Sequence, residues 1–297
     1  MKRIHFVFLF LILPFVAFTQ TSIKVKEGSQ TMSKGSHNAF EVEILQSSAK
    51  DIEHDWKHRL NAGSKAKLTE TNGEIAVRGW EDKEIAQNTF NVYSIIASTP
   101  NGVKLTVWFT YNDTTYFSTS SGKQEATLAS RFVRDFAAAE YYLTIKNLHQ
   151  KERDKLDKLK DDLEKNLRLE EKSDLKVTED KRAIARAQDD LATNDNDQKE
   201  VTANITLQEA EVTKTRAGNA EVYKAATKSL EEQQDAKKKL QARAEDLHKK
   251  IDGLNKEIAA EGRDIAAAKQ GQQQATDAIT KQKALIKDLE AKLKAIR

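Results

Sequence analysis

The sequence contains no cysteine. That excludes disulfide staples, a thiolate nucleophile and any zinc site built on sulfur. It also excludes the bacterial lipoprotein route, which needs a cysteine at the cleavage point. Proline is nearly absent, with only Pro14 and Pro100, so beyond residue 100 no proline breaks a helix by clash or lost donor. Glycine is scarce and scattered, with 11 in 297 residues, and no Gly-rich phosphate loop, G-x-S-x-G elbow or H-E-x-x-H pair occurs. Charge of one sign is lacking as well. Lys and Arg total 49 against 46 Asp and Glu, for a formal net charge of +3, which leaves no electrostatic footprint for nucleic acid. Aromatic residues run out early: Trp56, Trp80 and Trp108 precede residue 110, and past His149 the only Phe, Tyr or Trp is Tyr223.

What is present falls into four stretches: 1–19, 20–38, 39–122 and 123–297. The first has Lys2 and Arg3 followed by an apolar run from Phe6 to Phe18 broken only by Pro14. It is short for a membrane span, and Ala17 and Thr19 are small enough for the −3 and −1 positions of a signal peptidase site. A cleaved signal is the expectation, with Gln20 as the new N-terminus and an uncleaved anchor as the alternative. Residues 20–38 are polar with Gly and Ser and read as a leader, with a short strand possible at Ile23–Val25.

Residues 39–122 read as an α+β head. Phe40, Val42 and Ile44 alternate with Glu41 and Glu43, the pattern of a half-buried strand. Ile52, Trp56 and Leu60 then recur at four-residue spacing and predict a helix over Ser48–Asn61. Strands follow at Lys65–Thr71 and Glu74–Gly79, flanking Asn72-Gly73, the dipeptide suited to a type I′ turn. The strongest strands are Phe90–Ser98 and Val103–Tyr111. A helix starting near Gln124 carries Leu128, Phe132, Phe136, Ala139 and Leu143 toward the sheet. This β-α-β4-α order, an antiparallel sheet with a long C-terminal helix, resembles TBP-like and helix-grip folds.

Residues 123–297 have the composition of a long helical coiled coil. Leu156, Leu159 and Leu163 begin a seam, and candidate breaks lie at Ser173-Asp174, at Asn194–Asp197 and at Gly218-Asn219. The Asn/Asp cluster at 194–197 is the most turn-like. Toward the C-terminus one heptad register holds. Ala244, Ile251, Ile258, Ile265, Gln272, Ile279, Ile286 and Leu293 occupy position a, and Leu240, Leu247, Leu254, Glu261, Ala268, Ala275, Gln282, Leu289 and Ile296 occupy position d. Ile at a with Leu at d favours a parallel two-stranded pair between chains, whereas a reversal at 194–197 makes an intrachain hairpin.

Few residues invite chemistry. Asp51, His54, Asp55 and His58 share one face of the first predicted helix and have the residue types to hold a divalent metal; the plainer reading is the polar face of an amphipathic helix. Trp108, opposite the apolar face of its strand, and Trp80 are candidate interaction anchors if exposed. No cofactor is expected. The reading is a non-enzymatic exported envelope protein. Its head docks an unknown envelope partner, and its coiled coil self-associates and gives reach, with no membrane span after signal cleavage. Helical tentacles with a β-rich body resemble chaperones of the OmpH/Skp type in composition and outline, but in that family the tentacle is inserted within the β body, whereas here the β-rich stretch precedes one uninterrupted stalk. The coil also resembles the coiled-coil half of division-associated regulators of cell-wall hydrolases.

Overall fold

The computed structural model describes residues 23–62, 65–120 and 123–296; the expected signal peptide therefore lies outside the described residues. The chain forms two compact units, Met1–Lys155 with Gln282–Arg297, and Leu156–Lys281.

The first unit is built on six strands: β1 (Lys26–Met32), β2 (Gly35–Leu45), β3 (Leu68–Thr71), β4 (Glu74–Trp80), β5 (Phe90–Thr99) and β6 (Gly102–Thr110). They pair antiparallel in the order β1-β2-β6-β5-β4-β3. Helix α1 (Ala49–Asn61) separates β2 from β3, and α2 (Lys123–Thr215) follows β6. The polar leader is thus part of the sheet. β1 is an edge strand paired with β2 from Lys26↔Glu41 to Met32↔Gly35. Only Met32 of its residues is buried, so it is held by backbone hydrogen bonds and leaves almost no apolar trace in the sequence.

Local chemistry explains the turns and caps. Asn72 and Gly73 both have positive φ, 50° and 78°, as a type I′ turn between β3 and β4 requires. Ser48 caps α1 by accepting the Asp51 N–H at 3.2 Å. Gly102 opens β6 beside β2, where a Cβ would lie 2.2 Å from the Ile44 carbonyl oxygen, so no side chain fits.

One face of the sheet carries the main core. Phe40, Val42, Ile44, Val92, Leu105, Val107 and Phe109 meet Ile52, Trp56 and Leu60 of α1 and Phe132, Val133, Phe136 and Tyr141 of α2. Leu289, near the end of α3 (Ala220–Ile296), closes the same core. The expected α2 stripe holds at Phe132 and Phe136 but not at Ala139 or Leu143, both exposed. At 3.6 residues per turn the three-residue step from Phe136 to Ala139 turns back about 60°, while the buried line continues through Val133, Ala137, Tyr141 and Ile145.

The second unit is a pair of antiparallel helices. α2 runs unbroken through Ser173-Asp174 and Asn194–Asp197, and the chain reverses at 216–219. The expected turn at 194–197 is therefore displaced to the Gly218-Asn219 break. Asn194 is buried, and its amide donates to the Leu240 carbonyl at 3.1 Å. The side chain that competes for backbone bonds in a turn here bonds the facing helix. Asn219 caps α3 instead, accepting the Glu221 N–H at 2.8 Å. Lys176 meets Glu257 and Lys269 meets Glu170, so α3 numbers fall as α2 numbers rise.

Every a and d position between Leu240 and Lys281 is buried or half-buried. The partner stripe is the chain's own α2: Leu163, Asn166, Glu170, Ser173, Val177, Asp180, Ile184, Ala187, Leu191 and Asn194, alternately three and four residues apart and all buried or half-buried. Within the chain, the a and d positions pack antiparallel on α2, the intrachain hairpin that was the alternative to parallel pairing between chains. α2 carries a complementary heptad that is partly polar and so is faint in the sequence.

Candidate functional site

Both candidate anchor tryptophans are buried. Trp80 donates its indole N–H to the Leu60 carbonyl at 3.0 Å and packs edge-on against Phe90 and Phe132. It belongs to the core. Trp108 faces the opposite side of the sheet, as its alternation with Val107 and Phe109 dictates. There it forms a second apolar cluster with Met32, Ala39, Ala76, Tyr93 and Tyr116.

Two surface tips cover that cluster. Ser33, in the β1–β2 turn, donates its N–H and its hydroxyl to the two Glu74 carboxylate oxygens at 2.9 and 2.7 Å. Lys34 forms an ion pair with Asp113 of the loop after β6. In that loop the Asn112 carboxamide oxygen accepts the Thr114 and Thr115 N–H groups, and Tyr116 bridges back to Thr110. His37 stacks on Tyr116 with ring centres 4.0 Å apart and planes 7° from parallel. The Asp113 contact, and secondarily the Tyr93 hydroxyl, hold the Lys34 amine above the usual lysine pKa. The ammonium also lies 5.0 Å from the Tyr93 ring centre. The Lys34 and Tyr93 polar atoms nevertheless miss hydrogen-bond geometry. Tyr93 Oη and Trp108 Nε1 are both buried without a partner.

The polar face of α1 does not assemble a metal centre. Asp51 accepts the Ser48 hydroxyl at 2.7 Å, while His54 and His58 are exposed. Asp55 approaches Glu140 of α2, and burial followed by the nearby Asp55 and Asp51 carboxylates pushes Glu140 up to about 7. Among the described residues no group of three His, Cys, Asp or Glu side chains is arranged to hold a metal ion. Glu140 was invisible as a site residue because only the packing of α1 on α2, seen in Trp56 against Phe136 at 4.8 Å, brings it to Asp55.

The helical unit carries its polar groups in the seam. Gln272 donates to the Asn166 carbonyl and to the Glu170 carboxylate. Asp180, 3% exposed, takes Lys176 on one oxygen and leaves the other without a partner. In the sheet unit Gln282 reaches Glu152 in the same manner, at 2.7 Å. Among the described residues no helix is long and apolar enough to cross a membrane.

No family model matches the chain, and no curated protein matches it.

Proposed function

We propose that this chain is an exported, non-enzymatic protein of a bacterial cell envelope. In this reading the sheet unit recognises a partner, and the helical unit, an antiparallel coiled coil, is an interaction arm. The observation that supports it is the use of the heptad. The stripes of α2 and α3 satisfy each other within one chain, and the remaining faces are charged and interspersed. Such an arm holds its shape without a second copy, so self-association would need a surface other than the seam.

A second reading, a holdase chaperone, is favoured by one observation. The sheet unit is discontinuous in sequence, with Leu156–Lys281 inserted between its two segments. The tentacle chaperones that the composition resembles also have an inserted helical part, although here all six strands precede the insertion and the returning segment is helical. Two measurements decide. Fractionation and intact-mass analysis of the chain expressed in a Gram-negative host should find a periplasmic product beginning at Gln20; a cytoplasmic product retaining residues 1–19 contradicts export. Purified mature chain added to an unfolding client should leave aggregation unchanged under the first reading, and should suppress it at stoichiometric amounts under the second.

A further inference from the structure

The cluster on the open face of the sheet holds two donors with nothing to donate to. Trp108 and Tyr93 are 1% and 2% exposed and sit directly opposite each other in the β5–β6 ladder. The indole N–H and the phenol O–H are both unpaired. A buried donor left unsatisfied costs about 1–3 kcal/mol. Phenylalanine at position 93 would fill similar space without that cost. The phenol lies beside the Lys34 ammonium, which has no acceptor to offer it, and the indole N–H has no hydrogen-bond partner among the described residues; both point to an acceptor that arrives from outside.

The cover over them is loosely fastened. Its two tips are joined by the Lys34–Asp113 pair, in which Asp113 is 77% exposed, and exposed ion pairs contribute little in water. The other ties are the His37–Tyr116 stack and the Ser33–Glu74 hydrogen bonds. Parting the tips uncovers the ring faces of Trp108, Tyr93 and Tyr116, with the Glu74 and Asp113 carboxylates at the rim.

We propose that this covered patch is a binding site for a neutral carbohydrate, admitted when the β1–β2 turn and the loop after β6 separate. A sugar ring offers an apolar C–H face to stack on aromatic rings. Its oxygens accept the indole N–H and the phenol O–H, and its hydroxyls donate to carboxylates. A purely apolar ligand leaves both donors unpaired, and the rim sets Glu74 and Asp113 against Lys34 and Arg78, with no net positive charge to draw an anion. The proposal rests on the reading of the sheet unit as the recognising one and gives it a ligand class.

The test follows the three tryptophan indole N–H signals by NMR in the mature full-length chain, with Trp108 assigned by its absence in Trp108→Phe. The probes are soluble oligomers of glucose, of mannose and of N-acetylglucosamine. At least one should shift the Trp108 signal. Tyr93→Phe, which removes a donor without changing ring volume, should weaken that binding about tenfold. Lys34→Met, which releases the tips, should tighten apparent binding by about two- to tenfold, because less of the chain is held closed. The inference is overturned if no oligomer moves the Trp108 signal in either the parent chain or Lys34→Met. It is equally overturned if Tyr93→Phe binds as the parent does. A negative result here leaves the fractionation result standing, so the two failures are read separately.

Discussion

Gly102 and Gly253 mark the difference between the two units. In the sheet unit a Cβ on Gly102 would collide with the Ile44 carbonyl, so the backbone of one strand leaves no room beside another. In the helical unit a Cβ on Gly253 or Gly262 would meet nothing within 4 Å. The same contrast runs through the cores. Trp56, Leu60, Val77 and Phe109 are at 0% exposure and come from elements far apart in sequence. The helical seam mixes Leu and Ile, most of them half-buried, with Ala, and is interrupted by Asn166, Glu170, Asp180 and Asn194. One unit is specified by close packing, where a single ring is irreplaceable. The other is specified by a repeat, which alone would tolerate a slip of seven residues. Its polar contacts, Gln272 with Asn166 and Asn194 with Leu240, fall at unique places and hold the register.

The largest expected effect tests the close-packed side. Trp56 packs on Phe136 and Phe132 and donates to Ser94 at 2.8 Å. Trp56→Ala should cost the sheet unit about 3–5 kcal/mol, read by the tryptophan fluorescence transition in denaturant. The helical circular dichroism signal of α2 and α3 should melt separately; simultaneous collapse of both signals would erase the contrast. Next, Gly253→Ala with Gly262→Ala should stabilise the helical unit by about 1 kcal/mol each, raising its melting temperature. Gly271→Ala should gain less, because its Cβ would lie 2.8 Å from the Asn166 amide oxygen. Equal gains at all three would mean that the helices are not in this register.

The remaining effect is confined to a pH window. Glu140 titrates near 7 in the folded chain against 4.5 ordinarily, chiefly through burial and then through Asp55. Between those values the folded state holds more protons than the unfolded state, so stability falls as pH rises from 4.5 to 7 and stays low above. Melting temperatures at pH 5 and pH 8 should differ, and Glu140→Gln should shrink the difference. An unchanged difference would place the pH dependence elsewhere.

Legibility followed the same divide. The Asn72-Gly73 turn, the α1 stripe and the alternation of β5 and β6 were readable because each is a local pattern. So was the α3 heptad, although its partner was not. Glu170, Asp180 and Asn194 break the apolar rule on α2, and only the facing helix shows that they belong to a seam. β1 escaped notice because an edge strand of sequence KEGSQTM is defined by its neighbour's backbone. The covered Trp108 cluster and the Asp55–Glu140 pair depend on contacts between residues more than eighty positions apart, such as Tyr116 with Met32, and no local pattern carries those.

The intrachain antiparallel pairing of α2 and α3 is tested most directly by one cross-link. The chain has no cysteine, so an engineered pair reports without background. The Cβ position of Gly271 lies 2.9 Å from the Asn166 Cγ, within reach of disulfide geometry. Asn166→Cys with Gly271→Cys, oxidised at low protein concentration and run on a non-reducing gel, should give a faster-migrating monomer whose yield does not depend on concentration. A cross-linked dimer that grows with concentration, or no bond at all, would contradict the intrachain hairpin.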